Sequence, residues 1–301
     1  MHTAKNNNFI FALLLFVVLL WGINVVMIKY LTNFFPPLAL APIRLVMATA
    51  LLLPVVLYKQ GYTRPSRSSM LAIIGVATFS IFLHQLALSW GIAMTSSTHA
   101  SLILALNPLL TTVLASYLMK EPFTRGKVLG IFLGFSGVAL VVSGVSRGSS
   151  SVIGDIVMFI ATITFVVGSL FVKKSTTILS PLIVTAYSHT VASIGLLVTG
   201  YFVNPVWSYP GAFEPIPLAI LLFSSLVNTA LGALWWNMGI QRVGAATASL
   251  FLNGSPVTGV FAAAFFLGEE LYWTHYAALV LVILGVSLGT GLIGSKHSAI
   301  H

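Results

Sequence analysis

The sequence predicts an all-α polytopic membrane protein: ten transmembrane helices as two inverted five-helix repeats. Three observations carry this. First, hydrophobic residues make up 58% of the chain and charged residues 6%. A soluble domain carries about 25% charged residues, so a solvated surface is missing. Second, the apolar residues fall into ten runs, each about the 17–25 residues a helix needs to cross roughly 30 Å of hydrocarbon. Third, Leu88 to Gly144 overlies Trp236 to Leu292 at a constant offset of 148 residues without a gap. Gly91 meets Gly239, Ala100-Ser101-Leu102 meets Ala248-Ser249-Leu250, Pro108 meets Pro256 and Glu121 meets Glu269. Upstream, Lys29 and Pro37 meet Lys173 and Pro181 at an offset of 144, the difference being absorbed by the longer loop Asn204 to Pro217. The units are residues 1–150 and 151–301, and a repeat of this kind decides architecture before any single residue does.

The spans follow in order. Phe9–Ile28 comes after Lys5 and carries Trp21 and Asn24. Leu38–Leu57 carries Arg44 about two turns from its outer end and runs into Lys59, Arg64 and Arg67. Met70–Met94 holds His84-Gln85 near its middle. Thr98–Met119 contains His99, Asn107 and Pro108 and ends on Lys120 and Glu121. Val128–Val145 follows Arg125 and Lys127, and glycines at 126, 130 and 134 give it overlapping GxxxG spacing. Ile156–Val172 ends on Lys173 and Lys174 and has Gly168 where the first repeat has Asn24. Leu182–Phe202 has Ser188 where the first repeat has Arg44, and His189 at a depth similar to that of His84. Leu218–Ile240 carries Asn228, Trp235, Trp236 and Asn237 and is followed by Arg242. Ala245–Gly268 contains Asn253 and Pro256 and ends on Glu269. Tyr276–Ile293 carries Gly285 and Gly289 and precedes Lys296. Backbone groups in lipid must be satisfied within each segment, and no alternating barrel pattern is present, which leaves helices.

Orientation follows from charge. With the N-terminus in the cytoplasm, eleven of the fourteen Lys and Arg residues lie on the cytoplasmic side; Lys29 and Arg147 lie opposite and Arg44 lies within a span. This is a positive-inside pattern with both termini cytoplasmic in a cell inner (plasma) membrane. The net charge of +9 therefore reads as topology, and no nucleic-acid partner is expected. Five spans per repeat is odd, so the second copy enters from the opposite side. Inverted repeats place a solute site near the midplane and let one half rock against the other. The first apolar run lacks a small-residue cleavage site, which favours a retained span over a signal peptide.

Other classes are limited by what is missing. There is no Walker-type loop and no extramembrane segment long enough for a nucleotide-binding domain. Cysteine is absent, so thiolate metal sites and thiol nucleophiles are excluded. No nucleophile–base set stands at one depth, and no catalytic residue, metal or cofactor is expected. The partners expected are a small-molecule solute and the lipid bilayer, with a homodimer through the GxxxG faces as the alternative to packing within one chain. The rival to a carrier is a membrane-embedded sensor or binding protein without net transport.

Trp21-Gly22-Ile23-Asn24 with Lys29, Pro37 and Arg44, followed by Asn107-Pro108, Glu121 and glycines 130, 134 and 137, resembles an EamA-type repeat of the drug/metabolite transporter superfamily. In the second half Gly239-Ile240, Arg242-Val243-Gly244-Ala245-Ala246, Ser255-Pro256 and Gly268-Glu269 resemble the corresponding features. The resemblance covers about Phe9 to Gly294 and implies a ten-helix inner-membrane carrier, often an exporter of amino acids or other small metabolites, without its own ATPase. The position of Arg44 matches an arginine of that family.

Each polar side chain inside a span is costly in lipid and should face protein or water. Trp21, Asn24, Arg44, His84, Gln85, His189 and Trp235 are accordingly expected to line a substrate cavity. The competing reading, interhelical hydrogen bonding, is worth roughly 0.6 kcal/mol for each such bond. Asp155, Glu121, Glu214, Glu269 and Glu270 all read as lying at span ends or in loops, leaving Arg44 without a partner inside a span and disfavouring exchange of a cationic drug for protons. His84, His99 and His189 are the embedded groups able to titrate near neutral pH. A zwitterionic or neutral metabolite fits this inventory, with Arg44 either held by carbonyls and amides as a structural anchor or open to an anionic group of the solute. Pro108 and Pro256 each remove an intrahelical hydrogen bond and are expected to bend their spans as symmetry-related hinges.

Overall fold

The computed structural model describes residues 2–119, 124–143, 150–203 and 209–290; Lys120, Glu121, Arg147, Asn204 and Lys296 lie outside them. Every regular element among the described residues is helical. In chain order α1 is His2–Leu31, α2 Pro37–Gln60 and α3 Arg67–Met94; α4 is Ser97–Leu104 continued by Asn107–Met119. Then come α5 Arg125–Ser143, α6 Val152–Thr176, α7 Pro181–Val203, α8 Pro215–Val243, α9 Ala245–Leu267 and α10 Trp273–Gly289. Eight of these, all but α5 and α10, are long and apolar enough to cross a membrane. Large apolar side chains such as Phe132, Phe202 and Phe265 point outward, as they do when lipid is the solvent.

The interruptions of the helices come in matched pairs. α3 widens into π-helical turns over Val76–Leu83, and α8 does so over Phe223–Leu231. At the offset of 148, Val76 falls on Ser224 and Leu83 on Leu231. π-helical turns are rare and concentrate at functional sites. α4 breaks at Ala105 and Leu106, and α9 tightens into a 3-10 turn at Phe251–Asn253. Ala105 and Asn253 are again repeat mates.

These breaks change the reading of the two prolines. Pro108 is the second residue of the restarted Asn107–Met119 segment, and Pro256 the third of Gly254–Leu267. In a first helical turn the missing N–H has no intrahelical partner to lose. The carbonyl that Pro108 leaves free, that of Leu104, accepts a hydrogen bond from Asn107 Nδ2 at 2.9 Å. The bend expected from sequence is thus a break and restart, stabilised by the residue before the proline.

A second matched device uses lysine. Lys29 at the end of α1 donates to the carbonyl oxygens of Ile92 (3.1 Å), Ala93 (3.4 Å) and Thr95 (2.7 Å) at the end of α3. Lys173 near the end of α6 donates to those of Ile240 (3.5 Å) and Gln241 (3.2 Å) near the end of α8. Both lysines meet carbonyls at helix C-terminal ends, where a cation is favoured; that of Ile240 also accepts from the Gly244 N–H at 2.9 Å. The two lysines are repeat mates, and so are the carbonyls they cap.

α5 and α10 pack against each other through glycine. A Cβ on Gly130 would come within 2.5 Å of the Gly285 carbonyl oxygen and of the Gly289 backbone, and one on Gly285 within 2.5 Å of the Gly134 nitrogen. The GxxxG faces are therefore filled within one chain.

Candidate functional site

Two apolar clusters fill much of the interior. One gathers Leu14, Val17, Val76, Ile81, Trp236, Ile240 and Leu252, the other Val25, Ile28, Leu31, Leu88, Ile92 and Met158. Between them lies a cavity of about 120 Å³, lined by residues of both clusters and by the embedded polar side chains. A water needs about 10–15 Å³ on this scale, so the space suits a compact organic solute.

Arg44 anchors the cavity. α2 carries it inward to 1% exposure, and the widened segment of α8 receives it. Arg44 Nε donates to Ser224 Oγ at 3.0 Å and Nη2 to Thr229 Oγ1 at 2.9 Å. Thr229 Oγ1 in turn donates to the Ser224 carbonyl, five residues back, at 2.9 Å. Ser224 Oγ donates to Asn24 Oδ1 at 2.7 Å, and Arg44 Nη1 reaches Gln85 Oε1 at 3.5 Å. All these acceptors are neutral, and a guanidinium offers five N–H donors. The one ion pair among the described residues joins other groups, so Arg44 has no carboxylate counterion there.

The other walls are defined as well. His84 Nδ1 bonds to the Ala161 carbonyl at 2.9 Å, leaving Nε2 free to act as the acceptor of a neutral ring. His189 Nδ1 lies 2.8 Å from the Thr185 carbonyl and Nε2 3.3 Å from that of Thr229. Trp21, Phe165 and Trp236 form an aromatic wall with centroids 5.2 to 6.2 Å apart. Three buried polar atoms of lining residues have no partner: Asn107 Oδ1, Asn228 Oδ1 and Trp236 Nε1. Buried polar groups are normally bonded, so among the described residues two acceptors and a donor next to this space are left unsatisfied.

Of the residues expected from sequence, Trp21, Asn24, Arg44, His84, Gln85 and His189 all line this cavity. Trp235 does not; it packs on Phe16 with centroids 5.9 Å apart, and Trp236 takes the lining place. One residue along a helix turns the side chain by about 100°, and the π-helical turns in α8 upset any face counted from a regular helix. Phe165, Asn107, Asn228, Thr229 and Asn237 complete the lining beyond the expected set. Accordingly, Trp236→Leu is expected to weaken solute binding at least about tenfold, the scale of one aromatic anchor, while Trp235→Leu leaves it unchanged; titration calorimetry on both variants checks this.

Asp155 stands at a span end, as the sequence indicates, yet it is buried. It lies in the first turn of α6, 4% exposed, accepting from Thr95 Oγ1 and lying 3.1 Å from His99 Nδ1. The inventory of buried groups therefore includes a carboxylate, because neighbouring helix ends cover a position that is terminal in its own helix. His99 belongs with this pair and not with the cavity.

In comparison with known proteins, the sequence matches the EamA-like transporter family over residues 8–143 and again over 152–290. The Bacillus subtilis protein "Uncharacterized transporter YyaM" is 32% identical over 280 residues, covering 88% of each chain. A Salmonella typhimurium protein named "Probable amino-acid metabolite efflux pump" is 25% identical over 285 residues, covering 91% of this chain and 92% of its own. A solved crystal structure superposes with a TM-score of 0.68 at 16% identity, covering 93% of this chain and 98% of the other; at that identity it speaks for the fold alone.

Proposed function

This chain belongs to the EamA-like transporter family, and from that premise we propose that it is a secondary carrier exporting a small organic metabolite, such as an amino acid, by alternating access. The observation that carries the reading is Arg44, buried beside a cavity between two apolar clusters with no carboxylate of its own. A solute carboxylate would supply the missing charge through paired N–H···O bonds, which planar guanidinium geometry favours. The free oxygens of Asn107 and Asn228 suit an ammonium group, and Trp21, Phe165 and Trp236 suit an apolar side chain or a cation. The efflux-pump relative agrees with export of an amino-acid-like solute.

In this proposal all ten helices cross an inner membrane with both termini cytoplasmic, and residues 1–150 and 151–301 form inverted halves. The matched lysine caps and π-helical segments support the repeat, and the charge bias supports the orientation. α5 and α10, joined through glycine, form the static seam. Pro108 and Pro256 mark the flexible breaks at which α4 and α9 change angle. Pro108→Ala is then expected to let α4 run on as one helix, with the new N–H competing for the Leu104 carbonyl. Transport should fall severalfold while the detergent melting temperature holds or rises. Unchanged transport would make the break static.

The solute class is tested by a thermal-shift screen of the purified protein against amino acids, nucleosides and sugars. Amino acids should stabilise it in a concentration-dependent way. Stabilisation by sugars or nucleosides alone would overturn the carboxylate assignment.

A further inference from the structure

The corner between α3 and α4 is gripped by the second half and by Ser150 at the junction of the two. Ser151 N–H donates to the Met94 carbonyl at 2.9 Å, and Ser96 N–H donates to Ser150 Oγ at 3.0 Å. Asp155 of α6 accepts from Thr95 Oγ1 and faces His99 Nδ1. Glu269, just past α9, accepts from the N–H groups of Ser97 (2.7 Å) and Thr98 (3.0 Å) and from Thr98 Oγ1 (2.7 Å). A carboxylate on the open N–H groups of a helix start is favoured by bonding and dipole alike. Lys29 holds the other side of the corner through the Thr95 carbonyl. His275 of α10 stacks edge-on to His99 at 5.9 Å, and its Nδ1 accepts from the Tyr272 N–H, a role only the neutral ring can fill. The field of Glu269 reaches both Lys29 and His275. Glu270 lies outside this set, exposed and bonded to Tyr272.

Among the described residues the charges of this cluster do not balance. Asp155 and Glu269 supply two negative charges and Lys29 one positive, while His275 is held neutral as an acceptor. A single proton on His99 would bring the cluster to neutrality, and it would sit against a buried carboxylate. We propose that the His99–Asp155 pair is a proton-binding latch: a proton taken up by His99 locks the α3–α4 corner to the second half and closes that end of the cavity. The proposal rests on the reading above that the halves part and rejoin. With the halves apart, His99 has no carboxylate beside it; with them together, a charged ring meets Asp155. By linkage, acid then favours closure. Imidazoles in general change charge between about pH 5 and 8, which sets the pH window of the test.

The chain has no cysteine, which permits a clean test. Leu104→Cys places a thiol on the cavity wall, one and a half turns beyond His99, and Phe213→Cys supplies an exposed reference between α7 and α8. An impermeant maleimide is applied from the face carrying the corner, and the Leu104→Cys rate is divided by the reference rate at each pH. Between pH 7.5 and 5.5 this ratio is expected to fall roughly tenfold, within the usual range of coupling. His99→Gln keeps a neutral donor towards Asp155 but cannot take the charge, so it should abolish the pH response. Asp155→Asn should abolish it too and leave the thiol accessible throughout, and His275→Gln should keep it. A wild-type ratio that does not change with pH, or a response that survives His99→Gln, overturns the latch alone. A thiol that never reacts at any pH overturns the moving halves and the latch together, with no bearing on whether solute binds at Arg44.

Discussion

Arg44→Gln is expected to weaken binding of a carboxylate-bearing solute by roughly a hundredfold or more. Removing one member of a buried, hydrogen-bonded charge pair costs about 2–5 kcal/mol, and each 1.4 kcal/mol is about tenfold in affinity. Stability should move the other way or not at all. Without solute, the guanidinium is a buried charge bonded to Ser224, Thr229 and Gln85, all neutral, and glutamine avoids its desolvation while keeping a donor towards the same hydroxyls. Arg44→Lys should not restore affinity, because an ammonium lacks the planar fork. Binding by calorimetry and melting in detergent, measured on the same samples, separate the two effects. A parallel loss of both would make Arg44 a structural anchor.

The largest effect on stability is expected at the seam between α5 and α10. A side chain at Gly285 would meet the Gly134 nitrogen at 2.5 Å and the Gly130 carbonyl oxygen at 2.8 Å. These are backbone atoms, which cannot yield by changing rotamer. Gly285→Val should therefore part the helices at a cost of about 3 kcal/mol or more, lowering the melting temperature by on the order of 10 °C. Gly126→Ala is the control: its Cβ would meet the Leu288 carbonyl oxygen at 3.2 Å and Thr124 Oγ1 at 3.8 Å, and alanine improves helix propensity by about 1 kcal/mol. It should melt within a few degrees of the parent. Equal melting of the two variants would remove the glycine seam as the source of cohesion.

Much of this arrangement was legible in the sequence because lipid makes polarity expensive. Arg44, His84, Gln85, Asn24 and His189 stand out in apolar runs for that reason, and all face one cavity. Paired lysines and prolines keep their spacing in the sequence, and the helix interruptions keep the same spacing. The choice between Trp235 and Trp236 was not, because π-helical turns in α8 alter the face that each residue presents. The burial of Asp155 was equally hidden. An acid next to the start of a span reads only as an end group, and its sequence does not show that the neighbouring corner and His99 close over it. α5 and α10 show a further limit: at 19 and 17 residues, their role is set less by their own hydropathy than by the glycine contact between them.

Counterflow in proteoliposomes tests the central claim most directly. Vesicles loaded with an unlabelled amino acid that stabilises the protein are diluted into a trace of the same labelled compound. A carrier working by alternating access should accumulate label transiently above equilibrium, and Arg44→Gln vesicles should not. Tight binding of the solute with no counterflow in the wild-type protein would contradict transport and leave a membrane-embedded sensor in its place.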